Sequence, residues 1–340
     1  MATQLFSLEK YDDFICLYSP CSSTQAEFCL SRGGSLDMLM IENTQIITNL
    51  RPISPQKTYP SSVLFPFANR IKDGKYNFNN KSYTFDCNEA KANNALHGLV
   101  HNKTFKFAAH KLTSEFASLQ LRYETEKPDD SFPFLYRIDL HYKLTKNGLS
   151  LEITVLNTGD NKFPFTMGWH PYFKTSDLNQ SALRFSSTQK LAADARNITT
   201  GVVGCDLTMP YGLKGVTLDD AYILQAPLVE FITPEYNVKL TASEAKTYLQ
   251  LYTPPAVNAI AIEPMTGVSD SFNNKIGLKE LHPKETFQIY WDLEVQLKNN
   301  RNWIPPITSP SPRALVKDGT ADDSFLKRQE KLIRSGLNLI

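Results

Sequence analysis

The residues best suited to chemistry in this chain are three: His170, His97 and Glu263. His170 sits in Met167-Gly168-Trp169-His170-Pro171-Tyr172-Phe173, immediately before a proline and among aromatic residues. Proline drives the residue before it towards extended backbone, so the imidazole is aimed from a strand end by a stiff turn. That geometry suits a proton donor facing a ring-shaped ligand; the plainer alternative is a half-buried histidine capping an aromatic cluster. Glu263 ends Ala259-Ile260-Ala261-Ile262-Glu263-Pro264. Strand alternation puts Ile260 and Ile262 on one face, for the core. Glu263 then shares the other face with Ala259 and Ala261, which leaves room beside the carboxylate. His97 lies in Asn94-Ala95-Leu96-His97-Gly98, after an Asn-rich turn. His101 stands four residues on, but two histidines at that spacing share a face only on a helix. Gly98 and the Asn-rich lead-in argue against one, and no metal site is expected.

Further polar residues could position a ligand. Asn69-Arg70 precedes Ile71 at a strand-to-turn junction; a planar guanidinium there could hold hydroxyls or a carboxylate, or simply form a surface ion pair. Asp219 and Asp220 could bind hydroxyls or cap a turn. Gln250 lies in the strand-like Tyr248-Leu249-Gln250-Leu251-Tyr252.

The elements that must position these groups read as β. Leu119, Leu121 and Tyr123 alternate, as do Ile138, Leu140, Tyr142 and Leu144, and then Leu149, Leu151, Ile153 and Val155. Asn147-Gly148 between the last two runs supplies the φ > 0 positions of a tight hairpin turn. Asn79-Asn80 marks another hairpin, between Tyr76/Phe78 and Tyr83/Phe85. Phe287, Ile289, Trp291, Leu293, Val295 and Leu297 form one long half-buried strand. Asp37–Ile41 and Gln45–Asn49 read as strands, and the region from Phe173 to about residue 215 as loop-heavy. His141 falls on a polar strand face, towards solvent. From Asn299 the Pro/Ser-rich composition reads as a linker, with a short helix over 322–337 outside the fold. The expected organisation is therefore a mainly β domain over 1–298 and an appendage over 299–340.

The chain has 340 residues, 36 Lys plus Arg against 35 Asp plus Glu, and a formal charge of +1. This balance gives no electrostatic case for nucleic acid or an anionic membrane. The five cysteines lack a CxxC spacing and read as free thiols. Neither a signal peptide nor an apolar run of the ~18–20 residues that span a bilayer is evident. A cytoplasmic protein is expected.

Taken together, the motifs resemble the aldose 1-epimerases, or galactose mutarotases, over most of residues 30–298. The resemblance rests on Asn69-Arg70-Ile71 with Gly74, Leu96-His97-Gly98, His170-Pro171-Tyr172-Phe173, Leu218-Asp219-Asp220, Gln250, Ile262-Glu263-Pro264 and the Pro283 turn, in the family's order. It implies a large antiparallel β-sandwich with an open sugar site on one sheet, and no cofactor. It implies Glu263 as catalytic base and His170 as acid. His97, Asn69, Arg70, Asp219 and Gln250 would surround the sugar, with His97 able to donate to the ring oxygen. Asp220 departs from the pattern, since many relatives carry histidine there. In this scheme Glu263 is ionised and His170 protonated near neutral pH. The implied reaction is anomer interconversion of a free aldose, of galactose or glucose type. A hexose phosphate substrate, a glycosidase using Glu263 and Asp219, and a non-catalytic sugar-binding module are the competing readings.

Overall fold

The computed structural model describes residues 4–244 and 247–298. The expected linker and helix of 299–340 lie outside the described residues. Two large antiparallel sheets form a β-sandwich. The first runs in the order Ser7–Tyr11, Phe14–Tyr18, Gln25–Cys29, Ser35–Ile41, Thr44–Ile47, Tyr172–Lys174, Ala259–Met265, Tyr248–Tyr252, Asp219–Ile223, Gln189–Ala193 and Thr199–Gly204. The second runs Lys106–Leu112, Phe116–Glu124, Tyr136–Thr145, Gly148–Asn157, Thr286–Leu297, Tyr236–Ala242, Leu228–Ile232, Ala182–Phe185 and Tyr211–Gly212.

The alternating runs explain both sheets. In Thr286–Leu297, Ile289, Trp291, Leu293 and Val295 are buried while their neighbours face outward. They share one core with Leu140, Leu151 and Ile153 of the same sheet, and with Phe173, Leu251, Ile260 and Ile262 of the other. Trp169 stacks on Trp291 across that core, with ring centroids 6.2 Å apart and planes 13° apart. His141 is exposed, as its polar-face position requires. All five cysteines are free thiols. Among the described residues no helix is long and apolar enough to cross a membrane.

Two expectations change. The hairpin at Asn147-Gly148 is present, with Leu144 paired to Leu149, but neither turn residue has positive φ. The glycine serves a different need: a Cβ on Gly148 would lie 2.1 Å from the Leu293 carbonyl oxygen of the neighbouring strand. The Asn79-Asn80 turn does take the left-handed form, at φ 50° and 58°. The region after Phe173 lies more than half outside strands, but it is more ordered than its composition suggests. It contributes the strands Ala182–Phe185, Gln189–Ala193 and Thr199–Gly204. Thr199–Gly204 ends its sheet and is largely exposed, so no buried face imposed an alternating pattern on its sequence.

Candidate active site

Glu263 rises from the strand Ala259–Met265, whose Ile260 and Ile262 enter the core as alternation requires. Its direct neighbour on the adjoining strand is Gln250, which in turn faces Ala221. One pair along, Ala261 lies between Tyr172 and Tyr252, and Tyr252 faces Asp219. The space expected beside Ala259 and Ala261 is filled. Leu50 and Tyr172 pack on the two alanines, with Ile53 and Val257 around them, as an apolar wall.

His170 occupies the break between the strands Gly168–Trp169 and Tyr172–Lys174. Its N–H donates to the Ser62 carbonyl at 3.1 Å, and its own carbonyl accepts from the Ser61 N–H at 2.8 Å. The residue before the proline is thus pinned on both sides. His170 Nε2 lies 3.3 Å from Glu263 Oε1, and the two side chains are only 5% and 2% exposed. His97 follows the strand Asn94–Leu96 at φ 63°. Its N–H donates to the Asn69 carbonyl at 2.9 Å. Its ring meets His170 edge-on, centroids 5.1 Å apart, and Tyr59 packs against it at 4.8 Å. Gly98 is needed behind it: φ is 72°, and a Cβ would fall 2.2 Å from the Phe65 carbonyl oxygen. His101 packs on Tyr59 instead.

A hydrogen-bonded line of polar side chains adjoins this trio. Arg70 donates through Nε and Nη2 to Glu89, at 2.9 and 2.8 Å, and through Nη1 to Asn69 Oδ1 at 3.2 Å. Asn69 Nδ2 donates to Gln250 Oε1 at 3.1 Å, and Gln250 Nε2 to Asp219 Oδ1 at 2.8 Å. Asn197 Nδ2 donates to Asp219 Oδ2 at 2.9 Å. The Arg70 ion pair is therefore part-buried and bidentate, the stronger kind, not the exposed pair that an isolated arginine usually makes. Neither aspartate caps a turn: both lie on the strand Asp219–Ile223, and Asp220 pairs with Lys190. Glu89, Asn94, Arg196 and Asn197 are the site residues that sequence reasoning missed. The Asn-rich lead-in to His97 was the one available signal.

Burial governs the charges. It pushes the Glu263 carboxyl well above the usual carboxylate range, the Asp219 charge adding and Arg70 opposing. It pulls the His170 imidazole down to about 4. It also holds His97 well below the ordinary histidine value, the charges of His170 and Arg70 adding. Asp219 is raised by desolvation, with Arg70 opposing and Asp220 adding. The expected ionised Glu263–His170 pair is therefore not the favoured resting state. A 3.3 Å separation fits either form, and desolvation, which penalises two charges, favours the neutral one. In that neutral form the pair holds one titratable proton, on Glu263. Glu263 Oε2 and the Nδ1 atoms of both histidines have no hydrogen-bond partner among the described residues.

Two imidazoles and a carboxylate with their ligand-capable atoms within 4.8 Å of one another have donor types that suit a transition metal. The Arg70 charge that bears on both Glu263 and His97 works against a cation there. What the arrangement can do directly is move a proton on and off a small ligand at two nearby points.

Comparison with known proteins fits this geometry. The chain is 23% identical over 278 residues to the uncharacterized protein YihR of Escherichia coli K12, covering 78% of this chain and 89% of that one. Its fold is that of a galactose mutarotase-like protein from Clostridium acetobutylicum, with TM-score 0.76 at 20% identity over 87% of this chain and 100% of that one. Galactose 1-epimerase from Lactobacillus acidophilus gives TM-score 0.70 at 15% identity over 87% and 99% of the two chains. The sequence pattern of the aldose 1-epimerase family matches residues 27–293, a span that contains every site residue named above, and the chain belongs to that family.

Proposed function

We propose that the protein interconverts the α and β anomers of a free aldose by opening and reclosing the sugar ring. The observation that carries this reading is the buried approach of His170 Nε2 to Glu263 Oε1, next to a line of groups that donate to and accept from hydroxyls. Moving the shared proton from Glu263 to His170 creates a carboxylate base and an imidazolium acid without exchange with solvent. Arg70 favours the carboxylate. Glu263 then takes the proton of the C1 hydroxyl while His170 protonates the ring oxygen. The bond between C1 and the ring oxygen breaks to give the aldehyde. Rotation about C1–C2 presents the other carbonyl face, and reclosure returns both protons. Each positioned acid or base contributes about 10²–10⁴-fold. His97, edge-on to His170, is placed to donate to the same oxygen as negative charge develops. Asn69, Arg70, Gln250 and Asp219 orient the remaining hydroxyls. No redox step occurs, so the reaction balances without a cofactor.

The charge pairing favours an uncharged sugar over a hexose phosphate. Arg70 is already matched by Glu89 and Lys190 by Asp220, and Lys72 and Lys75 are exposed. Anomer exchange measured by NMR or polarimetry on free and phosphorylated aldoses tests the reading. Acceleration with a free aldose is expected. Sugar binding without acceleration would make the protein a binding module, and release of reducing sugar from an aryl glycoside would make it a hydrolase.

A further inference from the structure

We propose that Arg196, which is not one of the reacting pair, is a positioning residue for the sugar site: it latches the turn 194–198 onto the loop 89–94. The inference rests on the mutarotase reading for its kinetic form, and on the following geometry for its substance.

The Arg196 guanidinium reaches across to the loop that leads into His97. Its Nε donates to the Ala92 carbonyl at 2.7 Å. Its Nη2 lies 2.9 Å from Asp73 Oδ1 and 2.8 Å from both the Asn93 carbonyl and Asn94 Oδ1. Asn94 is fully buried. Its Nδ2 lies 3.0 Å from the Arg196 carbonyl and 2.8 Å from Glu89 Oε2. Glu89 is the carboxylate that holds Arg70. One end of the latch therefore reaches Arg70 through two side chains.

The other end reaches Asp219. Asp194 Oδ1 accepts from the N–H groups of Arg196 and Ile198, at 2.8 and 3.0 Å, closing the turn. Asn197 is left-handed at φ 58°. Its carbonyl accepts from Ser269 Oγ at 2.8 Å, and its amide donates to Asp219 Oδ2. A single arginine thus couples the supports of two sugar-facing groups that lie on opposite flanks of Gln250. It touches neither Glu263 nor His170, which are held by their own strands. Its side chain is 30% exposed, so shortening it leaves no large buried void.

Loss of the latch loosens Arg70 and Asp219 while leaving Glu263 and His170 held by their own strands, and it appears mainly as weaker sugar binding, with a smaller effect on the chemistry. For Arg196→Ala the sugar KM rises about tenfold, the scale of one charge-assisted hydrogen bond, while kcat stays within about threefold. Arg196→Lys keeps the charge opposite Asp73 but not the fork, so its KM falls between wild type and Arg196→Ala. Asn197→Gly keeps the left-handed turn and removes only the amide on Asp219; its KM also rises. An unchanged KM in Arg196→Ala, or a kcat loss at constant KM, overturns the proposal. If Arg196→Ala does not fold, Asn197→Gly decides, and an unchanged KM there overturns it. Should the wild type bind sugar without turnover, the mutarotase reading fails separately. The latch is then judged by calorimetric Kd for the same variants, with the same tenfold weakening expected.

Discussion

Gln250 faces Glu263 directly across two antiparallel strands, yet its amide is turned away, accepting from Asn69 and donating to Asp219. The amide on the strand position opposite the buried carboxylate is thereby occupied. Glu263 Oε2 is left without a partner among the described residues. An unpaired buried acceptor is costly, and such a cost is commonly retained where a ligand supplies the missing bond.

Glu263→Gln removes the ionisable carboxyl, and with it the base, while keeping a polar group of the same shape. Anomer exchange falls by at least about 100-fold, while sugar binding by calorimetry is largely kept. Stability changes with a defined sign. Glu263 is raised in the folded state, so below its unfolded value of about 4.3 both states are protonated. As pH rises above that value, only the unfolded chain ionises freely and the wild type loses stability. The melting temperature of Glu263→Gln should therefore exceed that of the wild type more at pH 7 than at pH 4. The reverse order would mean that the carboxylate is stabilised in the fold.

The rate depends on a pair that carries one proton. A second proton enters when His170 is protonated alongside Glu263, which its value of about 4 places well below the ordinary histidine range. The alkaline limb comes when the pair loses its proton, above the normal carboxylate range. A bell-shaped kcat/KM profile with its acid limb near 4 is expected. An acid limb at about 6.5 would show that His170 titrates as if in open water.

Glu89→Gln leaves the part-buried Arg70 guanidinium without its carboxylate. Urea denaturation should show a loss of about 1–3 kcal/mol, as for hydrogen bonds to charged groups. The sugar KM should rise more than kcat falls. No change in either would mean that Arg70 is satisfied by another acceptor.

Two glycines separate site geometry from stability. Gly98→Ala combines left-handed φ with a 2.2 Å backbone approach immediately after His97. It should cost about 2–4 kcal/mol and also lower activity per folded molecule. Gly148→Ala meets the Leu293 carbonyl at 2.1 Å, in a strand pair remote in sequence from every site residue. It should cost a similar amount and leave the activity of the folded fraction intact. Equal effects on activity would remove the special role given to the His97 turn.

The long strands were legible because one buried face imposes a two-residue period, as in Ile138–Leu144 and Phe287–Leu297. The seven residues singled out for chemistry were legible by type and setting: a histidine before proline, a glutamate on a strand beside alanines, an arginine at a turn. The structure brings all seven together. Glu89, Asn94, Arg196 and Asn197 were not legible. They sit in polar stretches of ordinary composition and acquire a role only through tertiary contacts, from Glu89 with Arg70 to Arg196 with Asn94 some hundred residues away. The charge state of the central pair was misread for a related reason. Local sequence shows which groups ionise, whereas their desolvation is set by the strands and rings packed over them. The local Asn147-Gly148 pattern suggests φ > 0, whereas the need for glycine comes from the close approach of Leu293, on a strand nearly 150 positions away.

The parallel indoles of Trp169 and Trp291 belong to different sheets, and Trp169 is covalently joined to His170. Aromatic rings fixed in an asymmetric packed setting contribute near-ultraviolet circular dichroism, and the contribution of these two indoles should depend on the two layers keeping their spacing. Collapse without specific packing erases such a signal while sparing the far-ultraviolet one. The two indoles thus offer an intrinsic optical gauge, one residue from His170, that should distinguish a variant whose site alone is altered from one whose layers have come apart.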